Sequence, residues 1–449
     1  MRTSDSSMTP GFGCLAEVFA IKSPTVSKPI PHTKPTLLHQ AKSKSQPRKQ
    51  IKGLLSTNQF ALPSSLPLIP VTVVYETNFY SNMVSYTIAG TQAMWRRPLS
   101  SLNGLFQKRI RLEGELFHQP ETLAALVAPI CVDMLAQLSY PGAPQLKGET
   151  VEALLEYMYK RAVEIGVSLD TPLSAKGFRL GYAEGLLAHP RHPVQVQGYV
   201  GLFTWLVVQY DDIVGQSNQM VEEALLFNER LLRGEPQPNN LLEGIAGLLR
   251  EAHDHFDPVL ANMLQISVLK FLTSNLLERH DGFQNMSITR AGHRFPDFYR
   301  DMSGMDQAYA VFCYPKAQYP DVGAFLEAIP DMANFINISN DVLSFYKEEL
   351  GGDKRNYVHN RATSTEKPVL TVVAEVNQET IASAKRVEQI LKGRGIYERS
   401  WHESVRGYIA MHTTNPRYRL ADLGIGEEHP LAPFEHRIGQ LFEKMNKME

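Results

Sequence analysis

Nine consecutive residues set the frame for the whole chain: Asn340-Asp341-Val342-Leu343-Ser344-Phe345-Tyr346-Lys347-Glu348. They lie in a proline-free stretch, residues 331–350, whose apolar residues recur at helical spacing. Because a helix turns by about 100° per residue, steps of four drift only ~40°, so Asn340, Ser344 and Glu348 share one helix face. Their amide, hydroxyl and carboxylate oxygens are hard donors of the kind that Mg²⁺ prefers. An exposed polar stripe on an amphipathic helix is the alternative interpretation.

The composition is that of an ordinary globular protein. With 449 residues, 43% of them hydrophobic and 20% charged, the chain can bury a sizeable core. A net charge of −2 provides no basic field, so no nucleic-acid partner is expected. Cys14, Cys131 and Cys313 have neither metal nor disulfide spacing, which favours a reducing, cytoplasmic location. No run of about 18 apolar residues is present, so no stable membrane insertion is expected.

Residues 1–70 differ in composition from the rest of the chain. They are rich in Ser, Thr, Pro and Lys and contain only two acidic residues, Asp5 and Glu17. Little apolar surface is available to offset the entropy of ordering, so 1–70 is predicted to be a disordered basic tail. A transit peptide is the alternative, although the prolines at 24, 29, 31 and 35 would spoil its amphipathic helix. Residues 71–114 are interpreted as a linker and entry segment.

Residues 115–449 are predicted to form one helical domain whose helices are separated by Gly- or Pro-containing breaks. The predicted helices span 120–138, 149–166, 172–188, 193–214, 218–233, 240–252, 257–280, 305–314, 321–350, 377–393, 397–414 and 431–447. No alternating run is long enough for a sheet, and no repeat of fixed period occurs. The expected fold is therefore all-α, a helical bundle around a central cavity. The polar segment 351–366 is predicted to be a loop that closes over a bound ligand.

A second apolar helix, Leu202 to Tyr210, ends in two adjacent aspartates, Asp211 and Asp212. Adjacent carboxylates at the end of a hydrophobic helix are costly unless they face water or a cation. The sequence leaves both alternatives open, a solvated helix end or a cation site.

These two motifs resemble those of class I terpene cyclases, and the run NDVLSFYKEE at 340–349 is similar to the second metal motif of the fungal trichodiene synthase family. The resemblance covers residues 115–425 and implies a class I terpene synthase bundle that binds three Mg²⁺ ions. The implied ligands are Asp211, Asn340, Ser344 and Glu348. Many relatives carry a further acid three positions beyond the aspartate pair, where this chain has Gly215, so the role of Asp212 is left open.

Arg300 matches the arginine with which this family senses the diphosphate of its substrate. A guanidinium can hold phosphate oxygens through two hydrogen bonds at once. Arg290 and Arg294 are weaker candidates for the same role. The alternative is an exposed Arg300 paired with Asp297 or Asp301.

Three further residues are implied to bind the diphosphate. Arg417 and Tyr418 match the family's Arg-Tyr pair near the C-terminus, and Lys347 matches a lysine that also reaches the diphosphate. Tyr408 is expected to line the cavity. For Lys347 a solvated side chain is the alternative.

The carbocation formed by ionisation requires apolar, dry surroundings deeper than the metals. Aromatic faces stabilise cations by roughly 0.5–2 kcal/mol each. The candidate lining residues are Thr204, Val207, Val208, Ala333 and Ile336, with the aromatic residues Phe203, Trp205, Tyr309 and Phe312. For each of them, simple core packing is the alternative. Ionisation needs no protein acid or base, and a late deprotonation can use the diphosphate itself.

The resemblance implies a sesquiterpene cyclase that ionises farnesyl diphosphate, cyclises the cation and releases diphosphate. Homodimers are common in this family, so a homodimer is expected. Two alternatives remain. A chain-elongating prenyltransferase would carry a second aspartate-rich motif, and a non-catalytic helical binding protein would show no Mg²⁺-dependent diphosphate release. A class II cyclase is excluded because Gln209 stands where its Asp-x-Asp-Asp motif begins.

Overall fold

The structure is a computed structural model that describes residues 119–429, 431–434, 436, 439–440 and 443, together with a short ladder nearer the N-terminus. In that ladder Thr72–Val73 (β1) pairs antiparallel with Tyr86–Thr87 (β2). The predicted tail 1–70 lies outside the described residues, as does the predicted linker 71–114 apart from this ladder. The helices that the structure describes all lie in the unit Trp95–Glu449.

The all-α prediction is confirmed for the described part of this unit. Its α-helices are α1 (Pro120–Gln137), α2 (Gly148–Ile165), α3 (Pro172–Leu187), α4 (Val194–Val214), α5 (Asn218–Leu225), α6 (Phe227–Arg233), α7 (Asn240–His255), α8 (Pro258–Arg279), α9 (Asp281–Gln284), α10 (Phe295–Ser303), α11 (Asp306–Phe312), α12 (Ile329–Gly351), α13 (Tyr357–Thr365), α14 (Val369–Leu391) and α15 (Ile396–Thr413). Its 3₁₀ segments are Arg290–Gly292, Val322–Ala324, Leu326–Ala328, Pro416–Tyr418, Leu420–Leu423 and Ala432–Phe434.

Four predicted segments were wrong in part. The predicted helix 377–393 corresponds to α14, which already begins at Val369. The predicted helix 218–233 divides at Leu226 into α5 and α6. The predicted helix 321–350 begins as two 3₁₀ turns, and α12 starts only at Ile329. The predicted loop 351–366 ends at residue 356, because the Asn356 side chain accepts a hydrogen bond from the backbone N–H of His359 and so caps α13. Helices α9 and α10 were not predicted, and the predicted helix 431–447 lies mostly outside the described residues.

Two apolar clusters form the core, and α3 and α12 contribute to both. From α3, the first cluster takes Phe178, Tyr182 and Leu186, and the second takes Leu180, Ala183 and Leu187. From α12, the first takes Met332, Phe335 and Ile336, and the second takes Ile338, Val342 and Leu343. Tyr408 of α15 packs against both clusters. Because α3 buries opposite faces in the two clusters, and α12 passes from the first cluster into the second along its length, these two helices lie at the centre of the bundle.

Helix α3 is fixed at this centre by close backbone contacts. A methyl group added at Gly181 would collide with the carbonyl oxygen of Gly201 in α4, and one added at Gly185 would collide with that of Gln197. At Gly407 of α15 an added methyl group would collide with the carbonyl oxygen of Leu187. Glycine is therefore required where α3 meets α4 and α15, and it holds the C-terminal half of α3 in place.

Helix α8 is the one helix in the described residues whose length and apolar composition would suffice to cross a membrane. Core helices pass the same test, and α8 packs against α10 and α11. Tyr210 of α4 also donates a hydrogen bond to the carbonyl of Leu272 in this helix.

Candidate active site

A cavity of about 740 Å³ opens between the C-terminal ends of α4, α8 and α12, and we call it the polar mouth. Its wall includes most residues that the sequence singled out for binding: Asp211, Arg300, Asn340, Lys347, Glu348, Arg417 and Tyr418. Ser344 lies one turn from Asn340 on α12 and is buried. The structure thus brings both motifs to one place.

The side-chain oxygens on the polar face of α12 make few hydrogen bonds to other protein groups. Glu348 accepts a hydrogen bond from the Asn356 amide at 3.2 Å, and its other oxygen lies 3.6 Å from the Lys347 ammonium. Asn340 Oδ1 accepts a long hydrogen bond, 3.3 Å, from Arg300. Ser344 is 1% exposed, and its Oγ has no hydrogen-bond partner in the described part of the chain.

These donors fit a hard divalent cation. A buried hydroxyl without a partner is costly unless something binds it, and Ser344 Oγ is in that position. Within the residues that the structure describes, no three His, Cys, Asp or Glu side chains gather as a metal cluster. An ion on α12 would therefore depend on amide and hydroxyl oxygens as well as on Glu348, and this is a donor set that suits Mg²⁺.

On the opposite wall, Asp211 faces a second carboxylate that sequence reasoning missed. The pKa of Asp211 is raised to about 7, chiefly by burial in the wall of the cavity, and further by Glu278 and Asp212; Arg417 and Lys347 oppose the rise. Glu278, at the end of α8, also has a raised pKa because of burial, although Tyr299 donates a hydrogen bond to it. A carboxylate whose charge is disfavoured by a neighbouring carboxylate marks a place where a cation is stabilised.

Glu278 could have been suspected from the sequence by the signal that identified Asp211. It is an acid in the last turn of a long apolar helix, α8. Nothing in its spacing relates it to either motif, however, because α8 and α4 meet only through the fold.

Arg300 is not an exposed side chain paired with Asp297 or Asp301, which was the alternative interpretation. Its Nε donates to Asp341 at 2.9 Å, and its Nη2 donates to the backbone carbonyl of Asn337 at 2.7 Å. Burial, the largest single effect, lowers its pKa, but Asp341, Tyr408 and Glu348 together raise the pKa above its usual value, so the guanidinium stays charged. Asp301 instead pairs with Lys270, and Asp297 accepts a hydrogen bond from Tyr357. The guanidinium is therefore fixed against α12 at the wall of the mouth.

Arg417 forms an ion pair with Asp212, and this pair fixes the orientation of the Asp212 side chain. Nη1 and Nη2 of Arg417 each lie 3.3 Å from one carboxylate oxygen of Asp212, a two-pronged pair that joins the end of α4 to the 3₁₀ turn Pro416–Tyr418. Lys347 lies 5.7 Å above the Tyr418 ring. Arg290, by contrast, pairs with Glu366 on the surface and is 79% exposed.

The segment after α12 forms part of the wall. Arg355 donates hydrogen bonds to the carbonyls of Phe283 and Gln284, so the residues between α12 and α13 are tied to α9. Asn356 reaches back to Glu348. The short loop that remains of the predicted 351–366 segment thus borders the mouth, as its sequence position indicated.

His412 of α15 holds the Asn340 amide in one orientation, and sequence reasoning missed it. Its Nε2 lies 3.0 Å from Asn340 Nδ2, and its Nδ1 lies 2.8 Å from the Tyr408 carbonyl. Burial lowers the pKa of His412 to about 4, so the ring is neutral. Nδ1–H then donates to the carbonyl and Nε2 accepts from Asn340, which turns Oδ1 of Asn340 away from the histidine.

Next to His412 lies a partly aromatic group, Thr204, Val208, Tyr309 and Tyr408, which we call the inner end. His412 contacts Tyr418 and Tyr408, with ring centroids 4.2 and 4.8 Å away. Tyr309 and Thr204 share a hydrogen bond of 3.0 Å, and Tyr408 donates to the Ile336 carbonyl at 3.1 Å. Tyr309, Tyr408 and Val208 keep some accessible surface although they lie among buried helices, so they border space that protein does not fill.

The other candidate lining residues lie elsewhere. Phe203 and Phe312 are fully buried and pack edge to face at 5.3 Å, and Trp205 packs on Phe178 of α3. For these three the core interpretation fits better. Ala333 lines a separate cavity of about 380 Å³. The buried residues Val207 and Ile336 belong to the first apolar cluster.

Comparison with known proteins identifies a family to which this chain is similar. The trichodiene synthase (TRI5) model matches residues 187–448. Terpene synthase BipA of Cochliobolus sativus is 36% identical over 65% of this chain and 88% of its own length. Longiborneol synthase CLM1 of Gibberella zeae is 33% identical over 70% of this chain and 92% of its own length. The crystal structure of a linalool/nerolidol synthase from Streptomyces clavuligerus, 14% identical, matches 60% of this chain and 96% of that protein with a TM-score of 0.46.

Proposed function

The chain belongs to the trichodiene synthase family, and we propose that it is a sesquiterpene cyclase that ionises farnesyl diphosphate, cyclises the carbocation and releases diphosphate. The observation that carries this proposal is the polar mouth itself. Carboxylate, amide and hydroxyl oxygens from α4 and α12 meet there with the basic side chains of Arg300, Lys347 and Arg417. Such a site can hold a highly charged leaving group beside an apolar interior.

The basic residues would bind and orient the diphosphate. A pair of opposite charges about 4 Å apart gains on the order of 4 kcal/mol in a partly wet site, so three basic side chains supply a large share of the binding energy. Tyr418, at the boundary between the mouth and the inner end, adds a hydroxyl group. Stabilising the charge that develops on the leaving group promotes cleavage of the carbon–oxygen bond without a protein acid.

Members of this family generally use Mg²⁺. We propose three ions, held by Asp211 on one wall and by Asn340, Ser344 and Glu348 on the other. When bound, they supply positive charge for the departing diphosphate. His412 positions the Asn340 amide, and Arg300 stays paired with Asp341 until the diphosphate competes for it.

The inner end would receive the hydrocarbon chain. Tyr309 and Tyr408 present aromatic faces there, and both hydroxyl groups are already engaged in hydrogen bonds. Their rings can therefore stabilise a cation without offering a free nucleophile. This arrangement excludes water from the reacting carbons, which favours cyclisation over hydrolysis.

Incubation of the purified enzyme with geranyl, farnesyl or geranylgeranyl diphosphate and Mg²⁺, followed by mass spectrometry, tests the proposal. We expect cyclic products from farnesyl diphosphate at the highest rate. In a parallel incubation that also contains isopentenyl diphosphate, a longer all-trans diphosphate as the main product would instead indicate chain elongation. Absence of any diphosphate release would support a non-catalytic protein.

We also propose a cytoplasmic location and a homodimer. The first is supported by Cys131 and Cys313, which are free and buried. The second is supported only by what is common in the family. Cell fractionation and light scattering on the purified protein test them, and organellar import or a monomeric mass would contradict them.

A further inference from the structure

Arg355 is a basic side chain in the wall of the polar mouth that has no role in the function proposed above. It lies in the short segment between α12 and α13 and is exposed. Its Nη1 donates to the carbonyl of Phe283 at 2.6 Å, and its Nη2 donates to the carbonyl of Gln284. The guanidinium also lies 5.6 Å from the centre of the Phe283 ring. Although Arg355 comes from a loop, its side chain is therefore held against the end of α9.

These partners orient the guanidinium without cancelling its charge. Both bonds use neutral backbone carbonyls, and Arg355 forms no ion pair with a carboxylate of the described residues. Asp353 is close in the sequence, but its carboxylate accepts from the backbone N–H of Arg355 and not from the guanidinium. A guanidinium carries more N–H groups than these two bonds use. The remaining N–H groups of Arg355 are available to an anion.

The other basic side chains in the wall of the mouth each lie beside a carboxylate. The pairs are Arg300–Asp341 (2.9 Å), Arg417–Asp212 (3.3 Å), Lys347–Glu348 (3.6 Å) and Lys354–Glu349. An anion that binds one of these side chains has to compete with a carboxylate that is already present, whereas an anion that binds Arg355 displaces no charged partner. Arg355 therefore offers an incoming anion the least opposed positive charge in the mouth.

Contacts connect Arg355 with both sides of the mouth. Asn356, the next residue, donates to Glu348 of α12 at 3.2 Å. On the other side, the Phe283 ring lies 4.9 Å from the ring of Tyr299, which donates to Glu278 of α8. The guanidinium of Arg355 is thus placed in the same wall as the acids of α8 and α12.

We propose that Arg355 is a further substrate-binding residue, which hydrogen-bonds the diphosphate group as it enters the mouth. The inference rests on the proposed function, because a prenyl diphosphate is the anion that the proposed reaction brings to the mouth. Since Arg355 stays bound to the end of α9, its contact is the same before and during cleavage of the carbon–oxygen bond. Such a contact lowers KM and leaves kcat nearly unchanged.

The variants Arg355→Gln and Arg355→Lys test the proposal. Arg355→Gln removes the charge, so we expect KM for farnesyl diphosphate to rise by about tenfold while kcat stays within about threefold. The Kd of inorganic diphosphate, measured by calorimetry at saturating Mg²⁺, should rise by a similar factor. Arg355→Lys keeps the charge and should recover most of both affinities. A purely structural role would affect both variants equally, since neither side chain reproduces the two-pronged bond to α9.

Arg406→Gln serves as the matched control. Arg406 of α15 also donates to two successive backbone carbonyls, those of Gly142 and Ala143, at 2.8 and 3.0 Å, but it does not line the mouth. Its loss should leave KM and the Kd of diphosphate unchanged. The wild-type KM should also rise more steeply with salt concentration than the KM of Arg355→Gln, because an exposed charge is screened.

Chemical labelling of the wild-type enzyme tests the same contact without a variant, and so applies even if Arg355→Gln does not fold. Inorganic diphosphate with Mg²⁺ should protect Arg355 from phenylglyoxal, as read by peptide mass spectrometry, whereas Arg399, exposed and outside the mouth, should react at an unchanged rate. Equal losses in Arg355→Gln and Arg355→Lys, a wild-type KM in Arg355→Gln, or no protection of Arg355 would overturn the proposal. A wild-type enzyme that neither binds diphosphate nor releases it from farnesyl diphosphate would instead overturn the proposed function, and this inference with it.

Discussion

The polar mouth and the inner end are built on opposite principles. In the mouth, charged groups face each other across short distances: Arg417 holds Asp212, and Arg300 holds Asp341. At the inner end the hydroxyl groups of Thr204, Tyr309 and Tyr408 are engaged in hydrogen bonds to the protein. The mouth can therefore exchange a bound anion and cations, whereas the inner end offers a substrate mainly ring faces.

The largest effect should come from removing the carboxylate that faces Glu278. Asp211→Asn keeps the shape and loses the charge, so we expect diphosphate release to fall by about 10³-fold. Asp212→Asn is the matched comparison. An amide can still accept from Arg417, so a smaller loss, about tenfold, is expected. Steady-state assays at saturating Mg²⁺ measure both rates of diphosphate release. Equal losses would contradict the different roles assigned to Asp211 and Asp212.

Arg300→Lys should have the next largest effect. A lysine cannot hold Asp341 and a diphosphate in the two-pronged manner of a guanidinium, so kcat/KM should fall by about 10²-fold. Arg290→Lys, on the surface beside Glu366, should leave kcat/KM unchanged. An Arg300→Lys enzyme with wild-type kinetics would show that the mouth does not use this arginine.

His412→Ala tests whether the Asn340 amide has to be held in place. Without the acceptor at Nε2, Oδ1 is no longer fixed, and the Mg²⁺ concentration at half-maximal rate should rise by about tenfold. His412→Asn offers another acceptor and should recover part of the affinity. A lower kcat with an unchanged Mg²⁺ requirement would point to a packing role for His412 instead.

The buried carboxyl group of Glu184 in α3 makes a prediction about stability. The pKa of Glu184 is raised to about 8 in the folded protein, against about 4.3 for an unfolded chain. Between these values the folded state binds more protons, so stability falls as pH rises, by up to about 1.4 kcal/mol per unit. Glu184→Gln lacks this group. Urea unfolding at several pH values should show that the free energy of unfolding of the variant rises relative to that of the wild type from about pH 5 to 8. A difference in unfolding free energy that does not change with pH would contradict a buried acid with a raised pKa.

Much of the mouth could be predicted from the sequence because its residues follow helical spacing. Asn340, Ser344 and Glu348 lie on one face of α12 by periodicity alone, and Asp211 ends an apolar helix. Arg300, Arg417 and Tyr418 required the family resemblance. The metal and substrate roles of all these residues stay predictions, since the structure shows where they meet and not what they bind.

Glu278, His412 and Glu184 could not be predicted in the same way. They lie on α8, α15 and α3, which are brought together only by tertiary packing, and none of them belongs to a spacing pattern. Trp205 is the opposite case. It lies near Asp211 in the sequence, but its ring packs toward α3 instead of the cavity. The helix α13 was missed because its signal was a single capping residue, Asn356, within a polar segment.

Diphosphate release from farnesyl diphosphate, followed as Mg²⁺ is titrated into metal-free enzyme, tests the central claim most directly. Wild-type enzyme should release none without Mg²⁺, and Glu348→Gln should need about tenfold more Mg²⁺ for half-maximal release because one ligand charge is lost. Release without metal, or the same Mg²⁺ requirement in Glu348→Gln as in the wild type, would contradict the assignment of the mouth as a metal-dependent ionisation site.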